Sequence, residues 1–148
     1  MKGLVIVESP TKAKTIGKIL GREFAIFSSM GHVIDLPARR IGVDIEHDFQ
    51  PTYVVIPAKK KTLTQLKKEA KKTATIYLAT DPDREGEAIS WHLREYLRSS
   101  EKEQKFLRVT FHEITPEAIR EAFARPQSID ESKVNAQQAR RVLDRVVG

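Results

Sequence analysis

The 148-residue chain carries 26 Lys and Arg against 20 Asp and Glu, a net charge of +6, with 40% hydrophobic and 31% charged residues. That is enough apolar material for a packed core and excludes a globally disordered chain, while seven Gly and seven Pro exclude a collagen-like or low-complexity one. The absence of Cys excludes disulfide scaffolds, cysteine–zinc sites and thiol catalysis, and Glu8 cuts the N-terminal apolar run too short for a signal peptide or membrane span, so a soluble intracellular molecule is expected.

Residues 4–7 form a continuous apolar run, the pattern of a strand covered on both faces. Ser9 and Pro10 then open a helix, with Pro in the first turn where its missing N–H costs little. Ile16, Ile19 and Leu20 give that helix its apolar stripe, and Gly21 is its stop. Residues 24–28 read as a second strand. From 31 to 50, with His32, Asp35, Pro37, Arg39, Arg40 and Gly42, there is no periodicity, and the stretch reads as a long surface loop of a size that is commonly functional. Residues 53–56 are a further strand leading into a helix. There Leu63, Leu66 and Ala70 share one face among Lys59, Lys60, Lys61, Lys67, Lys68, Lys71 and Lys72. The basic helix fits a solvated surface or a phosphate-facing stripe.

Residues 75–79 form the next buried strand, ended by Pro82. A helix follows over about 85–98, with Ala88, Ile89, Leu93, Tyr96 and Leu97 on its inner face. Residues 106–111 are another strand. Thr115, Pro116 and Glu117 open the next helix with a cap, a proline at its first position and an acid suited to the helix dipole, and Ala118, Ile119, Ala122 and Phe123 are its packing side. Strand–helix alternation of this kind predicts a parallel α/β sheet covered by helices. After residues 125–128, Val134, Ala139, Val142, Leu143 and Val146 make one stripe on a last helix. It either opens a second domain or docks back on the sheet.

Asp81, Asp83 and Glu85 alternate in a turn directly after a strand, in the run from Asp81 to Glu87. Converging carboxylates need a cation or raised pKa values, and an oxygen-only set favours a hard ion such as Mg²⁺. Ligands of open α/β sheets bind at the carboxyl ends of strands. If the strand of residues 4–7 neighbours that of 75–79, Glu8 joins the three acids there. The alternative is that Asp81 caps a turn while Glu85 and Glu87 decorate a helix start. An EF-hand fails because its twelfth position, which requires a bidentate Glu, is His92. Lys12 and Lys14 stand in a first helical turn that favours anions, or are simply solvated. No Walker A loop is present. On the last helix Arg140, Arg141, Asp144 and Arg145 fall at helical spacing, either as surface ion pairs or as a clamp for backbone phosphates. His32, which follows Gly31 in the loop, is incidental or functional.

The segments Val5-Ile6-Val7-Glu8-Ser9-Pro10-Thr11-Lys12-Ala13-Lys14, Gly31-His32 with Asp35-Leu36-Pro37, and Ala79-Thr80-Asp81-Pro82-Asp83-Arg84-Glu85-Gly86-Glu87-Ala88-Ile89 resemble the N-terminal Toprim domain of type IA DNA topoisomerases. Phe111-His112-Glu113-Ile114-Thr115 and the stretch from Asn135 to Arg145 continue the likeness in the family's order, and the bacterial topoisomerase I branch fits best. The acid run alone is shared with primases and some nucleases; the Glu8-to-Lys12 and Ala136-to-Arg141 segments make the resemblance specific. It implies a Rossmann-like Toprim α/β fold, a parallel sheet flanked by helices, over residues 1–125. Residues 126–148 would then be the first helix of a helical DNA-binding domain.

The same resemblance implies that Glu8, Lys12, Asp81 and Arg84 belong to the catalytic set. Glu8 would serve as general acid/base at the scissile phosphodiester and Lys12 would stabilise charge on the transferring phosphate. Glu8, Asp81 and Asp83 would hold Mg²⁺, with Glu85 completing or tuning the site. His32, Arg140, Arg141, Asp144 and Arg145 would contact or orient single-stranded DNA. The implied reaction is ATP-independent relaxation of negatively supercoiled DNA through a 5′-phosphotyrosine link and resealing. Its nucleophilic tyrosine lies in a later domain of the family, and Tyr53, Tyr77 and Tyr96 do not match it. This chain by itself is therefore expected to be inactive. The expected partners are the single-stranded segment of supercoiled DNA and further domains of the same polypeptide, with no membrane, in a monomeric cytoplasmic protein associated with the nucleoid. A stand-alone Mg²⁺-dependent nuclease or primase-like enzyme, and a non-catalytic DNA-binding module, are the rival readings.

Overall fold

A computed structural model of the protein describes residues 3–36, 42–44, 50, 51, 53–98 and 103–147. The elements run β1 (Gly3–Val7), α1 (Pro10–Leu20), β2 (Phe24–Ser28), β3 (Ile34–Asp35), β4 (Val43–Asp44), β5 (Gln50–Pro51), β6 (Val54–Val55), α2 (Lys60–Ala70), β7 (Thr75–Leu78), α3 (Arg84–Leu97), β8 (Lys105–Arg108), α4 (Pro116–Ala124) and α5 (Glu131–Val147). Four strands form one sheet in the order β2-β1-β7-β8, every pair parallel. The α/β sheet predicted from the alternation is thus present. β1 and β7 are neighbours, with Leu4 opposite Ile76 and Ile6 opposite Leu78. The chain leaves β1 toward β2 on one side and returns as β7 on the other, which makes the β1/β7 boundary the topological switch point.

Alternation along β1 builds two cores. Leu4 and Ile6 face Leu63, Leu66 and Ala70 of α2 and Ile89 and Leu93 of α3. Val5 and Val7 face Ile16 of α1 and Ile119 of α4. These four β1 side chains are fully buried, and burying a side chain of this size stabilises the fold by roughly 1.5–3 kcal/mol. The signals read for α1 hold. Ser9 is its N-cap, accepting from the Lys12 amide at 3.2 Å, Pro10 is its first residue, and Gly21 ends it at φ 74°, a conformation that favours glycine. Thr115 caps α4 in the same way.

Three expectations are corrected. The stretch from 31 to 50 is more than a loop, because β3 pairs antiparallel with β6 and β4 with β5. Strands of two residues are too short to imprint an alternation on the sequence. Pro37, Arg39 and Arg40, read in that stretch, lie outside the described residues. Tyr96 is not on the inner face of α3: it is 37% exposed, under the Lys67 ammonium at 5.1 Å from the ring centre. On α5, which packs along α3, Val134 and Gln137 are buried, whereas Ala139, Leu143 and Val146 are exposed. Only its first turns reach the core, where Val134 joins the cluster of Leu4 and Ile6.

Candidate active site

Glu8 follows β1 directly and Asp81 stands three residues past β7, so the switch point brings two acids from distant sequence together. Glu8 Oε2 accepts from the Asp81 amide at 2.5 Å. Lys12, one helical turn after Glu8, brings its Nζ to 2.7 Å from Glu8 Oε1 and 3.1 Å from Asp81 Oδ1. The same ammonium lies 4.9 Å from the Phe111 ring centre, a cation–π contact that adds to its hold. Lys12 is 9% exposed, whereas the Asp81 side chain is 59% exposed. The group therefore opens on the Asp81 side, into a cleft of about 580 Å³ bordered by Thr11, Thr15, Pro82 and His112.

The turn carrying Asp81 is fixed from beneath. Thr80 Oγ1 donates to the Gly86 carbonyl at 2.6 Å, and Asp83 caps α3 by accepting from the Gly86 amide at 2.8 Å. Gly86 packs so closely on the turn that a Cβ there would fall 1.9 Å from the Asp81 carbonyl oxygen. Only glycine fits. Below lies Arg108, 1% exposed, whose Nη1 donates to the carbonyls of Leu78 (3.0 Å), Thr80 (2.8 Å) and Val109 (3.1 Å), and whose Nη2 donates to that of Asp81 (2.5 Å). Its Nε donates to Glu87 Oε1 at 2.6 Å, and Glu87 Oε2 accepts from the Asp130 amide at 3.0 Å, just before α5. Burial pulls the Arg108 guanidinium below its ordinary pKa, while the Glu87 carboxylate pushes it back up. Sequence reading missed Arg108. Its only trace is an arginine inside an apolar strand, and its partner Glu87 is hidden in a run of exposed acids.

On the other side of α3 a smaller pocket of about 240 Å³ is lined by His32, Asp35, Glu85, Gln137, Arg140 and Arg141, with Asp144 at its border. Glu85 Oε2 lies 3.2 Å from His32 Nε2 and 3.4 Å from Gln137 Nε2. Arg141 grips Asp35 with two hydrogen bonds, Nε to Oδ1 at 2.8 Å and Nη2 to Oδ2 at 2.7 Å, so its partner is Asp35 rather than the helical neighbours its spacing suggested. Burial pushes the Asp35 carboxyl up, but the hydrogen bonds from Arg141 and the Leu36 backbone outweigh it and hold the pKa below the usual range. The hydrogen bond to Asp35 likewise raises Arg141. Beneath them Tyr53 and His92 meet edge to face at 4.6 Å. Burial, with Asp35 nearby, pushes the Tyr53 hydroxyl up to about 12, and burial, with His32 nearby, pushes His92 down to about 4.

The structure thus brings Glu8, Lys12 and Asp81 into one group. It uses Asp83 as a helix cap, leaves Arg84 exposed at the start of α3, and turns Glu85 into the second pocket. His32, Arg140, Arg141 and Asp144 gather around that pocket, and Arg145 lies half-buried outside its lining. The four acids do not meet at one point: among the described residues no three Asp, Glu or His side chains are grouped to hold a metal ion. The reason is helical geometry, since residues 83 and 85 leave the first turn of α3 on different sides. The chemistry of the Glu8–Asp81 edge nonetheless suits a hard cation. Both groups are carboxylates, and Glu8 Oε1 and Asp81 Oδ1 already share one cation, the Lys12 ammonium, at 2.7 and 3.1 Å.

Residues 3–114 match the Toprim domain family. Among solved structures, the full-length topoisomerase I from Thermotoga maritima is similar over 98% of this chain, with 51% sequence identity and a TM-score of 0.89. The likeness covers 24% of that protein, so the chain spans about a quarter of its length. No helix among the described residues is long and apolar enough to cross a membrane. The family match and the similarity to a topoisomerase I agree with the motifs at Glu8, Asp81 and Arg140: the chain belongs to the Toprim domain family.

Proposed function

We propose that this chain is the phosphate- and metal-handling part of a type IA DNA topoisomerase, which relaxes negatively supercoiled DNA by cutting one strand through a 5′-phosphotyrosine, passing the other and resealing the nick. The observation that carries the reading is the Glu8–Lys12–Asp81 group at the mouth of an open cleft. In that role Glu8 gives a proton to the oxygen that leaves phosphorus on cleavage and takes it back on resealing. Lys12, set between the two acids, swings its ammonium to the non-bridging phosphate oxygens, where positive charge is worth most in phosphoryl transfer. Mg²⁺ would be held at the Glu8–Asp81 edge, with Asp83 joining on giving up its cap of α3 and Glu85 tuning it from the adjoining pocket, and would supply further neutralisation of phosphate charge. Arg84, exposed at the start of α3, faces solvent where a DNA backbone can reach it.

His32, Arg140, Arg141, Asp144 and Arg145 form the surface that positions single-stranded DNA. Residues 1–125 constitute the Toprim domain and 126–148 the opening of a helical DNA-binding domain. That division is supported by Leu143 and Val147, left 60% and 77% exposed on α5. The enzyme works as a cytoplasmic monomer on nucleoid DNA. No tyrosine lines the cleft: Tyr77 packs between Phe24 and Phe123, Tyr53 against His92, and Tyr96 under Lys67. The chain alone should therefore bind a single-stranded oligonucleotide, more weakly after Arg140→Ala, and should neither cut it nor relax a plasmid. Mg²⁺-dependent cutting that disappears in Glu8→Gln would favour the nuclease or primase-like reading instead, and binding indifferent to Arg140 would remove the assigned DNA surface.

A further inference from the structure

Residues 59–72 hold seven lysines and one glutamate, a net +6 that equals the charge of the whole chain, so everything else sums to zero. The excess sits on one element. Lys60, Lys61, Lys67, Lys68, Lys71 and Lys72 are all exposed on or just after α2, opposite the buried Leu63, Leu66 and Ala70. Helix stability accounts for only part of this arrangement: Lys67 and Lys68 stand in the last turn, where the dipole favours cations, and Lys67 lies over the Tyr96 ring. Lys60 and Lys61 stand in the first turn, where the dipole disfavours cations, and that turn has no acid and no side-chain cap. Lys67 with Lys71, and Lys68 with Lys72, are like-charge pairs one turn apart, each destabilising by about 0.2–0.5 kcal/mol. The single acid, Glu69, pairs with Lys72 at 3.3 Å. A surface needed only for solubility mixes its signs, and Lys60 and Lys61, set against the helix dipole in an uncapped first turn, break a local rule without local return, the mark of a functional surface.

We infer that the exposed face of α2 is a second contact with DNA, a sequence-independent seat for the phosphate backbone of a duplex, separate from both pockets. The inference rests on the reading of the chain as a DNA-handling protein and adds to it a surface that the cleft does not use. From Lys60 to Lys71 the helix rises about 16 Å, at 1.5 Å per residue, which spans about five phosphates of one strand at 3.4 Å each. Lysine ammonium groups on flexible stems suit such a role, which asks for charge and not for base reading. A lipid surface fits less well. The large apolar side chains exposed among the described residues, Leu143 and Val147 foremost, include none on α2, and a membrane-surface helix needs an apolar face free to insert.

The test is fluorescence anisotropy of the chain on a blunt-ended duplex with no single-stranded segment, across a salt series. The unmodified chain is compared with Lys60→Gln/Lys61→Gln/Lys67→Gln/Lys68→Gln. These side chains are exposed, so the variant should fold, and a thermal melt as high as that of the unmodified chain verifies it. The expected result is a slope of log affinity against log salt that flattens by about two to four, near 0.9 for each phosphate that the variant leaves without a lysine, with at least roughly tenfold weaker binding at low salt. An unchanged slope and affinity would overturn the inference, as would a preference of the unmodified chain for phosphatidylserine vesicles over duplex. Arg140→Ala, measured on a single-stranded oligonucleotide, separates the two claims. If it weakens binding while the lysine variant does not alter the duplex slope, the α2 surface fails and the single-strand surface around Arg140 stands. If the unmodified chain binds neither DNA, both fail.

Discussion

Lys12 sets one ammonium between Glu8 and Asp81, at 2.7 and 3.1 Å, and a divalent ion drawn to the same carboxylates must compete with it. Lys12→Ala is therefore expected to tighten Mg²⁺ binding by about tenfold, the scale on which one neighbouring charge shifts a carboxylate, while weakening affinity for a phosphodiester. Isothermal titration with Mg²⁺ and with an oligonucleotide measures both, and equal or weaker Mg²⁺ binding would contradict the arrangement. Arg108 is the residue on which the Asp81 turn rests. Arg108→Met leaves Glu87 buried and unpaired and should cost about 3–5 kcal/mol in urea unfolding. Arg108→Lys should recover little of that, since one ammonium cannot reach four carbonyls and a carboxylate, and full recovery would show the fork to be unnecessary. Glu8, Lys12 and Asp81 were legible in the sequence because their motifs sit at strand ends. Arg108 was not, because a buried ion pair between β8 and α3 is a tertiary fact with no local spacing. Asp35 as partner of Arg141 is hidden for the same reason.

At the scale of elements, α3 carries both the acid turn and His92, which faces Tyr53, with His32, Asp35 and Glu95 acting on it electrostatically. Its pKa is lowered from 6.5 to about 4 in the folded chain, so between those values the unfolded state binds the extra proton. The stability that neutral His92 confers is thus complete above pH 6.5 and lost as pH falls toward 4, about 2 kcal/mol by pH 5. Urea unfolding at pH 7 and pH 5 reads it, and His92→Gln should flatten the difference; a pH-independent midpoint in the unmodified chain would refute the burial argument. The elements legible in sequence were those with strong local signals: β1 and β7 as apolar runs, α1 and α4 with their caps, α2 by its three buried positions. The short ladders of β3 with β6 and β4 with β5 carry no such pattern, and the apolar stripe of α5 gave no hint that only its first turns would be covered.

For the whole molecule, the decisive feature is topology. The order β2-β1-β7-β8 puts the sheet's switch point between the strands that lead into Glu8 and Asp81, and the alternation of strands and helices foretold a parallel sheet though not which strands would be neighbours. That adjacency turns two sequence motifs into one site, with Lys12 as its resident cation and an open cleft above it. The central claim, that these strand ends form one cation-binding site, is tested most directly by following backbone amide resonances through a Mg²⁺ titration of the chain and of Asp81→Asn/Asp83→Asn. Saturable shifts clustered at Glu8, Lys12 and residues 81–86, and absent in the double variant, are the expected result. Shifts that are absent, scattered, or unaffected by the double substitution would contradict it.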